Sequence, residues 1–227
     1  MTAPRYTRLS EDEYLLRLRQ EIDALKATSE ASRYVDAEKE QTKVVAHFLD
    51  RAIQFGEATY RIRNLPIVLR VLLRVFCDDL IRLFWVAQSE NNASEYVKIP
   101  VSELAKMGRV NLEKGHARLI NKKTGEDETA KLLPELARWS SKAKSVEQLA
   151  KECALEKVYD IPFRFSSLAV HGNTFLPQLP ADADLVVLPA IIAFLRATST
   201  IAENYPVRTT SAEEILHVLR LDKVGRN

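Results

Sequence analysis

Arg164, Ser167 and His171 are the residues whose types and spacing suit chemistry, in the stretch Tyr159-Asp-Ile-Pro-Phe-Arg-Phe-Ser-Ser-Leu-Ala-Val-His-Gly-Asn173. In a helix, positions seven apart return to nearly the same angle, about two turns along the axis. A guanidinium, a hydroxyl and an imidazole then share one face, while Phe165, Leu168 and Ala169 point elsewhere. Such a face offers a fixed positive charge beside a group that can give or take a proton near neutral pH.

The flanking residues predict a short helix around this face. Asp160 is the expected N-cap and Pro162 suits the first turn, where its missing N–H costs nothing. Gly172-Asn173 is the expected stop, because both residues tolerate the left-handed conformation that closes a helix. His171 then falls in the last turn, where the carbonyl end of the helix favours a protonated imidazole and suits general acid/base work. On spacing alone, the same residues also describe a solvated Arg and His at a capped helix end.

The elements that must position this face are helical. Ser10-Glu-Asp-Glu13 reads as a capping box, and Tyr14, Leu15, Leu18, Ile22 and Leu25 recur at helical spacing to about Lys26. A second apolar face, Val44, Val45, Phe48, Leu49, Ala52, Ile53 and Phe55, predicts a long helix ending near Arg63-Asn64. Pro66 opens a third helix to about Gln88, apolar around most of its circumference. Its polar stripe, Arg70, Arg74, Asp78 and Arg82, must face water or find partners inside, and Asp79 lies beside it. Ser145-Val-Glu-Gln148 is a further capping box, leading into the Arg164/His171 helix. Asp182 or Asp184 caps an apolar helix to about Glu203, and a last helix runs from Ser211 to Leu221.

Between these core elements the pattern changes. Residues 101–144 read as a helical insertion, with a short helix from Ser102, interruptions at Gly108 and Gly115, and an amphipathic helix carrying Leu132, Leu133, Pro134, Leu136 and Trp139. The expected organisation is an N-terminal helix and connector over residues 1–40, a bundle core over 41–100 and 145–221, and a loose tail over 222–227. Within the insertion, up to Glu126, Lys106, Arg109, Lys114, Arg118, Lys122 and Lys123 outnumber acids, a surface suited to phosphate although such a run is more often only a solvated face.

Composition bounds the class. The 227 residues are 46% hydrophobic and 28% charged with only 6 glycines, enough for one sizeable core and biased toward an all-α fold. A formal net charge of +2 gives no global drive toward nucleic acid, so such binding needs a local patch. The 2 cysteines, Cys77 and Cys153, have no metal-type spacing and read as reduced core residues of a cytoplasmic protein. The N-terminus carries no apolar signal core, and the apolar run Leu185 to Leu195, interrupted by Pro189, falls short of the roughly 20 residues that span a bilayer. A membrane is therefore not an expected partner.

Other motifs carry less. Glu113-Lys-Gly-His116 and Glu214-Ile-Leu-His217 have the Glu-x-x-His form of di-iron bundles, but Gly115, Lys114 and Arg118 do not describe a buried helix. Ser167 with His171 has no oxyanion-forming loop, and there is no phosphate-cradling glycine loop or zinc signature. No metal or cofactor is expected.

Taken in order, Arg70, Arg74 and Asp78 or Asp79 on an apolar helix, then Ser145-Val-Glu-Gln-Leu-Ala-Lys151, Tyr159, Ser167 and His171-Gly172, the chain resembles a helical bacterial family of unknown function over about residues 45–205. More distantly, Arg164 followed by six residues and His171 resembles the signature of the HEPN superfamily, with Phe165 where a polar residue often stands. That resemblance implies a helical bundle that forms a homodimer and cleaves RNA without metal, in a toxin–antitoxin or phage-defence setting. His171 would move protons at the ribose 2′-hydroxyl or the leaving oxygen, Arg164 would stabilise phosphate charge, and Ser167 would orient either. Arg118, Lys122, Lys123 and Asn173 are the expected RNA-binding residues. The competing expectation is a non-catalytic helical module that binds a protein partner through its first helix and the insertion.

Overall fold

A computed structural model describes residues 10–32, 38–139, 144–170 and 184–221. Among them the chain is all-α, apart from one isolated antiparallel bridge between Ile120 and Asp127. No described helix is long and apolar enough to cross a membrane.

Helix α1 (Glu11–Ser32) starts where the capping box places it: the Glu13 N–H donates to Ser10 Oγ at 3.3 Å, and the Ser10 N–H donates to Glu13 Oε2 at 2.6 Å. These bonds satisfy backbone donors that the first helical turn leaves free. The helix outlasts its expected end near Lys26, because its last polar residues find partners in place of solvent. Thr28 donates to the Ala24 carbonyl, and buried Ser29 donates to Asp50 of the next helix at 3.2 Å.

Helices α2 (Glu40–Arg61) and α3 (Pro66–Gln88) form the centre with α9 (Asp184–Asn204), and α1 lies across α2 and α9. Leu18, Ile22, Leu25, Phe48, Leu49, Leu80, Ile81, Ile191 and Leu195 are almost completely withdrawn from water. Each such side chain contributes about 1.5–3 kcal/mol over leaving it exposed. The contact is closest at Gly56, where an added Cβ would lie 2.8 Å from Ile22 Cγ1 and 3.5 Å from Leu195 Cδ1. Cys77 and Cys153 are free thiols inside this core, and burial pushes the Cys153 thiol up to about 12.

The polar stripe of α3 finds partners. Arg82 donates to Asp78 at 2.5 Å, and Arg51 of α2 grips Asp79 through two bonds of 2.9 and 3.2 Å. Burial nevertheless raises the Asp79 pKa, outweighing the opposing hydrogen bond and charge of Arg51. The folded protein thus holds this proton more tightly than the unfolded chain, and the associated stability is lost as pH rises through the folded pKa. Asp79→Asn lacks that loss. Its stability relative to wild type is expected to rise with pH across the acidic range and then level off, measured by urea unfolding at a series of pH values. A relative stability that falls over the same range would show that the Arg51 pair outweighs burial.

Helix α4 (Glu90–Glu113) begins at a Ser89 cap and continues through Pro100 and across residue 101, so the boundary drawn there falls inside a helix. Its first half packs on α2 and α3, and its second half packs on α5 (Thr129–Trp139) through buried Ser102 and Ala105. Pro100 removes one backbone bond, and packing on both sides carries the helix through it. Helix α6 (Val146–Glu152) has the expected reciprocal cap between Ser145 and Gln148. Helix α7 (Glu156–Val158) passes without a break into a π turn at Tyr159–Phe163 and then α8 (Arg164–Val170). Helix α10 (Ala212–Val218) closes the described chain on a Ser211/Glu214 capping box.

Candidate functional site

The chain approaches Arg164 through a wider turn than the sequence predicts. Glu156 already begins the helical path, so Asp160 does not cap it, and Pro162 lies inside the π turn in place of a first α turn. The Arg164 N–H reaches back to the Tyr159 carbonyl, five residues away, and Pro162 has no N–H to offer the tighter pattern. Ser166, fully buried, donates to the Pro162 and Phe163 carbonyls at 2.6 and 3.0 Å and ties the turn to α8. With the backbone so arranged, the Asp160 carboxylate pairs with the Arg164 guanidinium at 3.2 Å.

Arg164 and Ser167 open onto one cleft of about 410 Å³, lined also by Arg74, Ser145, Val146, Glu147, Tyr159 and Phe163. Its floor is aromatic. Tyr159 and Phe163, one helical turn apart, stack with ring centroids 4.8 Å from each other. The Arg164 guanidinium carbon lies 5.2 Å from the Tyr159 ring, and that of Arg74 lies 4.9 Å from the Phe163 ring. Contact with a ring face holds a guanidinium in place while leaving its N–H edge able to donate.

Ser167 joins the two helices. Its hydroxyl donates to the Phe163 carbonyl at 2.8 Å and accepts from Arg74 Nε at 3.1 Å. Glu147 is the carboxylate on the opposite wall. A hydrogen bond from Lys151 at 2.8 Å, together with its charge, holds Glu147 below the usual carboxylate range. Two guanidiniums, hydroxyls and stacked rings make a surface suited to an anion carrying flat or apolar parts, which is the chemistry of a nucleotide.

His171 and Asn173 lie outside the described residues. Arg118, Lys122 and Lys123 are exposed on the loop between α4 and α5 and do not line the cleft. That loop is closed by its own bonds: the Asn121 side chain accepts from the Lys123 and Thr124 N–H groups, and the Asn121 N–H donates to the Glu126 carbonyl at 2.9 Å.

The residue that sequence reasoning did not assign to the site is Arg74. Its signal was the stripe on α3. With Asp78 engaged by Arg82 one turn further on, Arg74 turns to α8.

Among the described residues no group of three His, Cys, Asp or Glu side chains is placed to hold a metal. Glu113 pairs with Arg109, and Glu214 serves its helix cap and Arg208, so neither Glu-x-x-His pair forms half of a di-iron site. A larger cleft of about 640 Å³ lies at Trp85, Cys153 and Thr210, but among the described residues its only charged lining side chain is Glu152, which does not suit a phosphate.

No curated protein and no solved structure matches the chain. Residues 43–176 match a family of unknown function, DUF5677, a span that begins in α2 and takes in every residue lining the Arg74/Arg164 cleft. That match covers more than half of the sequence, and the chain belongs to the family of unknown function DUF5677.

Proposed function

We propose that the protein is a metal-independent endoribonuclease whose substrate phosphodiester occupies the cleft at Arg164 and Ser167. The observation that carries this reading is the convergence of Arg164 and Ser167 with a second guanidinium on one aromatic-floored cleft. Arg164 suits charge stabilisation: its side chain is 59% exposed, and its ion pair with Asp160 is a solvent-facing contact that an entering phosphate can displace.

In the proposed reaction His171 takes the proton of the ribose 2′-hydroxyl or returns one to the leaving group. The 2′-oxygen forms a new bond to phosphorus, the bond from phosphorus to the 5′-oxygen breaks, and the 5′-oxygen leaves protonated. The products are a 2′,3′-cyclic phosphate and a 5′-hydroxyl, with no external nucleophile or oxidant. Arg164 neutralises charge on the non-bridging oxygens as it builds up in the transition state. A cytoplasmic homodimer acting in toxin–antitoxin or phage defence is the form that the HEPN resemblance implies.

The test is expression of wild type, Arg164→Ala and His171→Ala in bacteria, following growth and the integrity of total RNA in EDTA-treated lysates. RNA fragmentation by wild type alone supports the reading, and identical RNA patterns in all three contradict it.

A second reading, a non-catalytic helical interaction protein, is favoured by one observation. Helix α4 exposes Val97, Val101, Leu104 and Met107, with Leu104 and Met107 at 62% and 58% exposure. Apolar side chains at this spacing on one helix face suit a protein partner. Under that reading Leu104→Glu disrupts partner binding and the Arg164 and His171 variants change nothing.

A further inference from the structure

We infer that Arg74 is a phosphate-binding residue in its own right, giving the cleft a second contact to the backbone of the nucleic acid beside that of Arg164. This inference rests on the ribonuclease reading for its ligand class. Its grounds are separate: the position of Arg74 and the fate of its neighbours.

Arg74 is half-buried on α3, one of the central helices, where a guanidinium gives up part of its hydration and needs partners. The two acids on the same side of α3 are already matched to other cations. Asp78 is taken by Arg82, and Asp79 by Arg51. Among the described residues Arg74 has no carboxylate within ion-pairing distance. It has the Ser167 hydroxyl on Nε and the Phe163 ring at its face, two neutral partners that fix its position without cancelling its charge. Glu147, which lines the cleft, is engaged by Lys151, and Asp160 is paired with Arg164.

A guanidinium oriented by neutral groups and lining a cleft is prepared for an anion that arrives from solution. Its remaining N–H groups have the fork geometry that fits phosphate oxygens. The π turn contributes directly, since it places the Phe163 ring against Arg74 and the Phe163 carbonyl against Ser167. Asp78 is paired with Arg82 at 2.5 Å and makes no ion pair with Arg74.

A phosphate contact is read from salt dependence. Each one releases about 0.7 counterion from a single strand, so its loss lowers the slope of log affinity against log salt by about that amount. The probe is a fluorescent 2′-O-methyl oligonucleotide, which keeps the phosphates and lacks the attacking hydroxyl. Binding is titrated at several potassium chloride concentrations for wild type, Arg74→Gln, Arg74→Lys and Ser167→Ala. Arg74→Gln is expected to bind more weakly with a slope lower by about 0.7, whereas Arg74→Lys and Ser167→Ala keep the wild-type slope.

An unchanged slope in Arg74→Gln overturns the inference, as does a wild type that does not bind the probe. Retained helical content by circular dichroism checks that each variant is folded. Should Arg74→Gln fail that check, neutral Arg74→Met is titrated in its place with the same two outcomes. The ribonuclease reading fails separately: a protein that binds the probe through Arg74 but leaves unmodified RNA intact keeps the inference and loses the reaction.

Discussion

Arg164→Ala and His171→Ala are each expected to slow RNA cleavage by about a hundredfold to ten-thousandfold. For Arg164 the loss is not a consequence of unfolding. Its guanidinium is more than half exposed, its pair with Asp160 is exposed on both sides, and such pairs contribute about 0–1 kcal/mol. The thermal midpoint of Arg164→Ala should therefore stay close to wild type while its turnover falls. The two variants should differ in their pH profiles. Removing His171 should flatten the limb near neutrality, whereas removing Arg164 should lower the whole profile and leave its shape, because a guanidinium does not titrate there. Cleavage of a fluorogenic RNA oligonucleotide in EDTA measures both. Full activity in either variant would place the chemistry elsewhere.

Gly56→Leu carries the largest expected effect on stability, a loss of about 3 kcal/mol, reflecting the cost of forcing extra methylenes into a packed core. Even the first added carbon meets Ile22 Cγ1 at 2.8 Å and Cδ1 at 3.2 Å, and Ile22 and Leu195 are both fully buried, so neither has open space to move into. Gly56→Ala should be milder. The helix gains about 1 kcal/mol when alanine replaces glycine, against an overpacking cost of about 1–3 kcal/mol. Urea unfolding of both variants checks the order; a Gly56→Leu protein as stable as wild type would mean that α1 and α9 do not meet α2 this closely. The position has a wider meaning. Gly56 lies within the span shared with the family, whereas Ile22 and Leu195 lie outside it, so this contact joins the family's part of the fold to helices the match does not include.

Much of this architecture was legible where local chemistry decides it. Pro66 opens α3 and Gln88 ends it as the apolar pattern predicts, and the Ser10 and Ser145 boxes form the reciprocal bonds that their spacing predicts. Reading failed where packing overrides local punctuation. Thr28–Ser32 looks like a connector, yet Ser29 reaches Asp50 and the helix goes on. Pro100 looks like a boundary, yet partners on both sides hold α4 together.

The cleft shows the same division. Arg164 and Ser167 share a face because helical periodicity requires it, and that much follows from spacing. The path into that face does not: Asp160 and Pro162 suit a helix start equally well, and the π turn that contains them depends on the chain being helical already from Glu156. Arg74 precedes Ser167 by ninety-three residues, and only the packing of α3 on α8 brings them together. Lys122 and Lys123 illustrate the reverse, since a run of like charges says what a surface holds but not which cleft it adjoins.

Cleavage by internal attack of the 2′-hydroxyl, the reaction proposed for this cleft, fixes the chemistry of both new RNA ends. The most direct measurement is the chemistry of the ends made by the purified protein on a defined RNA in EDTA, read by mass spectrometry. A 2′,3′-cyclic phosphate paired with a 5′-hydroxyl, absent with Arg164→Ala, is the predicted result. Intact RNA, or ends bearing a 3′-hydroxyl and a 5′-phosphate, would contradict it.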